Sequence, residues 1–130
     1  MSRRTVLLVD DDDDTRTLYA WCMRAAGWQV EEAADGQQAL LQAVGCRPDI
    51  IVLDLRMPKM NGVELLRVLR RSASLAFVPV VLCTVCSGPG IEAAARDAGC
   101  AAYIAKPCEP ATLRAVVESV VPGRASEDLH

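Results

Sequence analysis

The stretch DIIVLDLRMPKMNG, residues 49–62, joins a short apolar run to the start of a helix. Ile50–Leu53 is continuously apolar, as strands are when helices cover both faces of a parallel sheet. Asn61, with Glu64 three residues later, has the spacing of a capping box with asparagine in place of serine or threonine. Asp54 follows the apolar run directly, where an unpaired charge would be costly. The stretch therefore predicts a buried strand, an acid with a specific task at its end, and then a helix.

Apolar runs and helical periodicity alternate outward from this stretch in both directions. The pattern gives five strands and five helices, which is typical of an α/β fold. Strands 1, 3 and 4 are continuous apolar runs, so we expect a doubly wound parallel sheet in the flavodoxin-like order 2-1-3-4-5. The predicted strands are Val6–Val9, Gln29–Ala33, Ile50–Leu53, Val78–Cys83 and Ala101–Ala105.

Caps and breakers mark the ends of the predicted helices. Gly27 is placed to stop the first helix, Asp35 and Gly36 open the second, and Gly99 ends the fourth. Pro110 fits the first turn of the fifth. The residues predicted to face inward are Leu18, Trp21, Cys22 and Ala25 in the first helix, Ala39, Leu40, Ala43 and Val44 in the second, Leu65, Leu66 and Leu69 in the third, and Leu113, Val116, Val117, Val120 and Val121 in the fifth.

Size and charge narrow the class of protein. A chain of 130 residues suits one domain, which we expect over residues 1–121 with a short C-terminal tail at 122–130. The net charge of -3, with a run of acids at Asp10–Asp14, argues against direct nucleic-acid binding. The apolar run before these acids is too short for a signal-peptide core or a membrane span, so we expect a cytoplasmic protein with reduced thiols.

Cys83 and Cys86 form a C-x-x-C, a spacing that could serve redox chemistry or half of a zinc site. Ordinary thiols are the favoured interpretation. The sequence has no second pair of ligands, its only histidine is the terminal His130, and the motif ends a strand instead of opening a helix.

Polar residues follow four of the predicted strands. Asp10 and Asp11 come after strand 1, Asp54 after strand 3, Thr84 after strand 4 and Lys106 after strand 5. These strands are neighbours in the expected order, so their carboxyl ends bring the side chains into one row. Carboxylates so close together need a cation to neutralise them.

The row suits phosphoryl transfer better than proton transfer. Oxygen ligands with open positions suit Mg²⁺, and a carboxylate such as Asp54 can attack phosphorus to give an acyl phosphate. The metal and Lys106 would offset the charge on the transferred group, while Thr84 could donate a hydrogen bond to it. Asp12–Asp14, by contrast, are interpreted as a solvated helix N-terminus.

Four motifs resemble the receiver domains of two-component response regulators, of the chemotaxis-receiver kind. VLLVDDDDDTR, DIIVLDLRMPKMNG, VPVVLCT and YIAKP occur in the family's order and spacing, and the resemblance covers residues 4–121. The middle motif, with Asp54, Met57-Pro58 and Asn61-Gly62, is the most specific of the four. The resemblance implies a phosphorylation-dependent signalling switch of a two-component system or phosphorelay, free-standing or excised from a larger protein, and no enzyme beyond its own phosphoryl transfer and autodephosphorylation.

The resemblance also implies roles for individual residues. Asp54 would accept a phosphoryl group from a histidine kinase or a phosphotransfer protein. Tyr103 would rotate inward as Thr84 moves toward that group, and the face of helix 4, strand 5 and helix 5 would then bind a downstream protein, as a monomer or a phosphorylation-dependent dimer. Lys106-Pro107 would be a cis peptide. The remaining roles are Asp11 as a direct Mg²⁺ ligand, Asp10 as a ligand through water, Arg56 as a ligand through its backbone carbonyl, and Lys106 and Thr84 as contacts of the phosphoryl oxygens.

Three residues depart from the family's usual pattern. Val85 replaces a small residue, Cys108 replaces an aromatic, and Arg56 is a large cation beside the acceptor. We expect Arg56 and Val85 to hinder attacking water and so to lengthen the life of the phosphorylated form.

Two alternatives stay open. Asp11-x-Asp13-x-Thr15 also fits the first motif of haloacid-dehalogenase-like phosphohydrolases, but these need a further acidic pair, and the later acids Asp97 and Asp128 fall in a helix and the tail. That interpretation also leaves Asp54 unexplained. The second alternative is a receiver fold that serves only as an interaction module, against which the complete set of site residues argues.

Overall fold

The computed structural model describes residues 4–57, 61–85 and 88–121. Pro58, Cys86 and the predicted tail at 122–130 lie outside the described residues. Five strands and five helices alternate along this part of the chain. They are β1 (Thr5–Val9), α1 (Asp13–Ala25), β2 (Gln29–Ala33), α2 (Gly36–Cys46), β3 (Ile50–Leu53), α3 (Gly62–Arg71), β4 (Val80–Thr84), α4 (Pro89–Asp97), β5 (Ala102–Ala105) and α5 (Pro110–Val120).

The strands form one parallel sheet in the order β2-β1-β3-β4-β5, which confirms the predicted fold. The bounds of β2 and β3 are those predicted, and every residue of β3 and β4 is buried. β4 begins later than predicted because the N–H of Val78 donates to the carbonyl of Leu75 in a turn. β4 also includes Thr84, which is fully buried.

Alternate residues of the strands pack into two cores, one on each face of the sheet. Leu7 and Val9 of β1 belong to the core that includes the buried residues of α2, α3 and α4. Val6 and Leu8 belong to the core that includes those of α1 and α5. Helices therefore cover both faces, as the continuous apolar strands predict.

The predicted caps are confirmed. Asp35 accepts a hydrogen bond from the backbone N–H of Gln38, and Asn61 accepts one from that of Glu64, each at 2.9 Å. The Asn61 amide also donates to the Glu64 carboxylate at 2.6 Å. Gly27 and Gly99 follow helix ends with φ values of +96° and +100°, where a side chain would be strained.

The predicted inward face of α1 is wrong. Leu18 and Trp21 are 51% and 71% exposed, and the buried residues are Tyr19, Ala20 and Met23. α1 carries two apolar stripes and buries the one that contains Tyr19. The Tyr19 hydroxyl donates to the backbone carbonyl of Cys108 at 2.9 Å. Val44 of α2 is likewise exposed, whereas the predictions for Ala39 and Ala43, for Leu65, Leu66 and Leu69, and for Leu113 and Val117 are confirmed.

No helix in the described residues is both long enough and apolar enough to cross a bilayer. Five cysteines of the described part are free thiols, namely Cys22, Cys46, Cys83, Cys100 and Cys108. The Lys106–Pro107 peptide is cis, as the resemblance implies.

Candidate functional site

The acids predicted to meet at the carboxyl edge of the sheet do meet there. Asp10 and Asp54 follow the central strands β1 and β3, and each is only 7% exposed, whereas Asp11 is exposed. One carboxylate oxygen from each of the three lies within 4.8 Å of the others. Such a cluster repels itself unless positive charge is close.

Backbone hydrogen bonds align this edge. The N–H of Asp10 donates to the carbonyl of Ala33 at 3.1 Å, and that of Asp54 donates to the carbonyl of Val9 at 3.1 Å. The N–H of Lys106 similarly donates to the carbonyl of Thr84 at 2.8 Å. The ladder thus runs past the ends of the strands and fixes the depth at which each side chain starts.

Lys106 supplies the positive charge inside the cluster. Its ammonium lies 2.5 Å from Asp10 Oδ2 and 3.2 Å from Asp54 Oδ2, and its side chain is 11% exposed. Burial lowers the pKa of Lys106, but the hydrogen bond to Asp10 and the nearby charges raise it more, so the net shift is upward. Lys106 therefore stays an ammonium between the two buried acids.

Both buried carboxylates are held in the same way. Asp10 Oδ1 accepts from the N–H of Asp12 at 2.9 Å, and Asp54 Oδ1 accepts from the N–H of Arg56 at 3.0 Å. The second oxygen of each faces Lys106. These two-residue turns fix the rotation of each carboxylate, a detail that a motif does not encode.

The edge opens into a cleft of about 310 Å³. Asp54 lines its floor region together with Lys106, while Arg56 and Val85 line it from the loops after β3 and β4. Both of these loop residues are exposed, and both line the cleft beside Asp54. The full lining is Asp10, Asp11, Asp12, Thr15, Asp54, Arg56, Val85 and Lys106.

Thr84 and Tyr103 lie on the other side of the sheet edge. Tyr103 of β5 is half-buried and packs against the core on the α3 and α4 face. Its register partner is Leu82, which belongs to the same core. Thr84 is two residues beyond Leu82 and therefore starts from the same face.

Gly62 makes a close contact at this site that the sequence did not suggest, because Asn61 was interpreted as a helix cap and Asn61-Gly62 as part of the family motif. A Cβ at Gly62 would lie 2.7 Å from the backbone oxygen of Asp54 and 2.8 Å from Cα of Leu55. Its own N–H donates to the carbonyl of Leu55 at 3.0 Å. Glycine thus lets the start of α3 press against the backbone that carries Asp54.

The donor set fits a divalent cation that prefers oxygen. Three carboxylates and one ammonium make up the cluster of Asp10, Asp11, Asp54 and Lys106, which therefore keeps an excess of negative charge. Asp11 lines the cleft and is the most exposed of the three carboxylates. Mg²⁺ binds in this way, through a few carboxylates while it keeps several waters.

Comparison with known proteins assigns the family. A family model described as the response regulator receiver domain matches residues 6–118. The chain is 33% identical over 127 residues to the phosphate regulon transcriptional regulatory protein PhoB of Pseudomonas aeruginosa, which covers 95% of this chain and 56% of PhoB. It is 32% identical over 104 residues to the polar-differentiation response regulator DivK of Brucella anthropi, which covers 80% of this chain and 85% of DivK.

Solved structures agree with this assignment. The chemotaxis response regulator CheY4 of Vibrio cholerae superposes with a TM-score of 0.86 at 32% identity, over 92% of this chain and 99% of that one. The chain spans about half the length of PhoB but most of the length of DivK and CheY4.

Proposed function

The chain belongs to the response regulator receiver domain family, and from that premise we propose that it is a phosphorylation-dependent switch in which Asp54 accepts the phosphoryl group. The donor would be a histidine kinase or a phosphotransfer protein of a two-component system. The single observation that carries the proposal is the setting of Asp54, whose Oδ1 is held by the N–H of Arg56 and whose Oδ2 faces Lys106 at the floor of a cleft.

The transfer step follows from this setting. A carboxylate oxygen of Asp54 attacks the phosphorus of the donor's phosphohistidine, the P–N bond breaks as the new P–O bond forms, and the imidazole leaves as the neutral ring once it gains a proton. Lys106 stabilises the negative charge that the phosphoryl group brings into the buried site. Thr84 would move to donate a hydrogen bond to a phosphoryl oxygen.

A divalent ion would sit on the acidic side of the cleft. Asp11 and Asp54 would bind Mg²⁺ directly, Asp10 would bind it through water, and Arg56 would offer its backbone carbonyl. When bound, Mg²⁺ neutralises charge on the transferred group and orients its oxygens. Lys106 already neutralises part of the charge of Asp10, which fits Asp10 as the more distant ligand.

The output of the switch would be a change in protein binding. Phosphorylation would alter the face of α4, β5 and α5 through Thr84 and Tyr103, and a downstream protein would bind that face. We place this activity in the cytoplasm, where kinases of this class present their phosphohistidine. The domain would occupy residues 1–121, with 122–130 as a tail.

Acetyl phosphate tests the proposal directly. The purified chain is incubated with Mg²⁺ and acetyl phosphate, and its mass is measured. We expect a gain of one phosphoryl group that is lost with EDTA and lost in Asp54→Asn. Asp14→Asn, which removes an exposed acid outside the cluster, is the matched control and keeps the gain.

Each other result favours an alternative. A gain that survives Asp54→Asn but is lost in Asp11→Asn supports a haloacid-dehalogenase-like phosphohydrolase. No gain in the wild-type chain supports a receiver fold that acts only as an interaction module.

A further inference from the structure

Arg16 on α1 joins three groups around the first acidic turn. Its Nη1 donates to the backbone carbonyl of Asp10 at 2.6 Å, its Nη2 lies 2.7 Å from Asp13 Oδ1, and its Nε lies 3.1 Å from Glu32 Oε1 on β2. Its side chain is 14% exposed, although α1 is a surface helix at this point. A charged side chain so well enclosed is costly unless each of its donors has a partner.

The hydrogen bond from Arg16 to the Asp10 carbonyl holds the peptide between Asp10 and Asp11 in place. The N–H of Asp10 already donates to the carbonyl of Ala33, and its carboxylate accepts from the N–H of Asp12. With Arg16 on its carbonyl, every polar group of Asp10 has a partner from a different part of the fold. The same peptide leads into Asp11, so its orientation sets the position from which the exposed side chain of Asp11 starts.

The charge of Arg16 is compensated where it lies. Burial lowers the pKa of Arg16, but hydrogen bonds to Asp13 and Glu32 and their charges raise it more, so the guanidinium stays charged. An isolated cation here would oppose a second cation at the acidic cluster. Because two carboxylates pair with Arg16, its geometric effect on the turn outweighs its long-range field.

We propose that Arg16 is a positioning residue for the divalent-cation site, acting through the carbonyl of Asp10 to hold Asp10 and Asp11 in the binding geometry. The inference rests on the proposed function, because it presumes that the acidic cluster binds Mg²⁺. Arg16 does not line the cleft. It acts as an outer residue that orients the ligands.

Arg24 provides a matched control on the same helix. Its Nη2 lies 3.3 Å from the same Glu32 carboxylate and 3.3 Å from the carbonyl of Val30, and its side chain is 54% exposed. Arg24→Met thus removes one positive charge and one ion pair with Glu32 without touching Asp10. Arg16→Lys separates charge from geometry, since lysine keeps the charge but lacks the fork of donors.

Two measurements test the proposal on the full chain. Mg²⁺ affinity is measured by isothermal titration, and exchange of the Asp12 amide is measured by NMR in the metal-free protein. We expect Arg16→Met and Arg16→Lys to raise the Kd for Mg²⁺ about tenfold, the lower end of what the loss of an outer-sphere residue causes. We expect the Asp12 amide to exchange about tenfold faster in both, because its acceptor on Asp10 is released. Arg24→Met should match the wild type in both measurements.

A third readout distinguishes positioning from general damage. Phosphorylation by acetyl phosphate in the Arg16 variants should be slow at low Mg²⁺ and return to the wild-type rate at saturating Mg²⁺, because Arg16 does not contact the cleft. A variant that is merely misfolded shows no such recovery. If Arg16→Met fails to fold, Arg16→Lys and Glu32→Gln, which weakens the anchor of Nε, still test the proposal.

The outcomes are separable. Wild-type Mg²⁺ affinity and unchanged Asp12 exchange in both Arg16 variants overturn the role of Arg16 and leave the proposed function standing. Tighter Mg²⁺ binding in Arg16→Met with wild-type binding in Arg16→Lys also overturns it, since only charge then matters. A wild-type chain that binds no Mg²⁺ contradicts the proposed function itself.

Discussion

Asp54 lines a cleft in which the residues at the bottom are buried and those at the rim are exposed. The floor is a buried acid against a buried ammonium, with Asp54 Oδ2 at 3.2 Å from Lys106. The rim includes the exposed side chains of Arg56 and Val85, and Val85 is 53% exposed. Attack by a donor must come from the open side, and hydrolysis of an acyl phosphate requires that water reach the phosphorus from that side too.

Arg56 and Val85 are therefore expected to slow the loss of the phosphoryl group. In the double variant Arg56→Asn, Val85→Ala the acyl phosphate should decay about tenfold faster, which corresponds to about 1.4 kcal/mol of barrier. Decay is followed by mass spectrometry after acetyl phosphate is removed. The control Arg71→Asn, Val44→Ala changes the same residue types at exposed positions outside the cleft. Equal lifetimes in the wild type and the cleft variant would contradict the prediction.

Burial of Cys83 gives the protein a pH dependence of its own. Burial raises the pKa of the Cys83 thiol from 9.0 to about 12. The unfolded chain therefore releases this proton near pH 9 while the folded chain keeps it, so stability falls as the pH rises through this range. Each such proton contributes a slope of about 1.4 kcal/mol per pH unit.

We expect urea unfolding between about pH 8 and 10 to show a shallower loss of stability in Cys83→Ala than in the wild type. Val81→Ala is the matched control, because Val81 is fully buried in the same core and does not titrate. It should lower the free energy of unfolding by a similar amount at every pH. Parallel pH curves for the wild type and Cys83→Ala would show that Cys83 does not contribute.

At the level of helices and strands, the predicted caps all formed, whereas the predicted inward face was right for α3 and α5 but wrong for α1. Asp35 and Asn61 cap their helices as predicted, because a cap depends only on residues a few positions apart. The face of α1 was mispredicted, because Leu18 and Trp21 form as good a stripe as Tyr19 and Met23. Only contacts with distant residues decide between two such stripes.

The functional row was predictable for a related reason. Asp10, Asp54 and Lys106 each follow a strand, and strand order alone brings them together. The contacts of Arg16 and Gly62 were not predictable, because they depend on how α1 and α3 approach the sheet. For Arg16, the only local hint is that an arginine lies one turn into the helix after an acidic run.

Gly62 at the start of α3 gives an element-scale prediction with an internal control. In Gly62→Ala the new Cβ meets the Asp54 backbone, so we expect a loss of about 1–3 kcal/mol in the free energy of unfolding. Gly45→Ala, near the end of α2, meets no atom within 4 Å and should gain about 0.5–1 kcal/mol. Urea titration measures both. A stabilised Gly62→Ala would mean that α3 does not press on the acceptor strand as described.

Across the whole molecule, the buried acids Asp10 and Asp54 and the side chain of Tyr103 lie on opposite faces of the sheet. Asp10, Asp54 and Cys83 line a small cavity with Tyr19 of α1, on the α1 and α5 side. Tyr103 packs on the opposite side, against the core of α3 and α4. Thr84, at the end of β4, is fully buried and starts from the same face as Tyr103. A displacement of Thr84 toward a phosphoryl group would vacate space on the Tyr103 side.

The region that would respond is also the least anchored. Among the described residues of α4 only Ala95 is buried, and no residue of β5 is fully buried. Elements with few buried side chains open and shift at low free-energy cost. By contrast, every residue of β4 and of β3, the strand that leads into Asp54, is buried.

We therefore expect phosphorylation to change NMR amide shifts across α4 and β5 while those around Ala39 and Ala43 of α2, buried in the opposite half of the sheet, stay constant. Tyr103→Ala should be phosphorylated by acetyl phosphate at the wild-type rate but should lose most of the shifts in α4, because the side chain that we propose responds to Thr84 is gone. Phe77→Ala, which removes a 95% exposed aromatic from the loop before β4, is the control and should respond as the wild type does. Full α4 shifts in phosphorylated Tyr103→Ala would contradict the role of Tyr103. Shifts of the phosphorylated wild type concentrated in α1 and β2 would contradict the assignment of the responding face to α4 and β5.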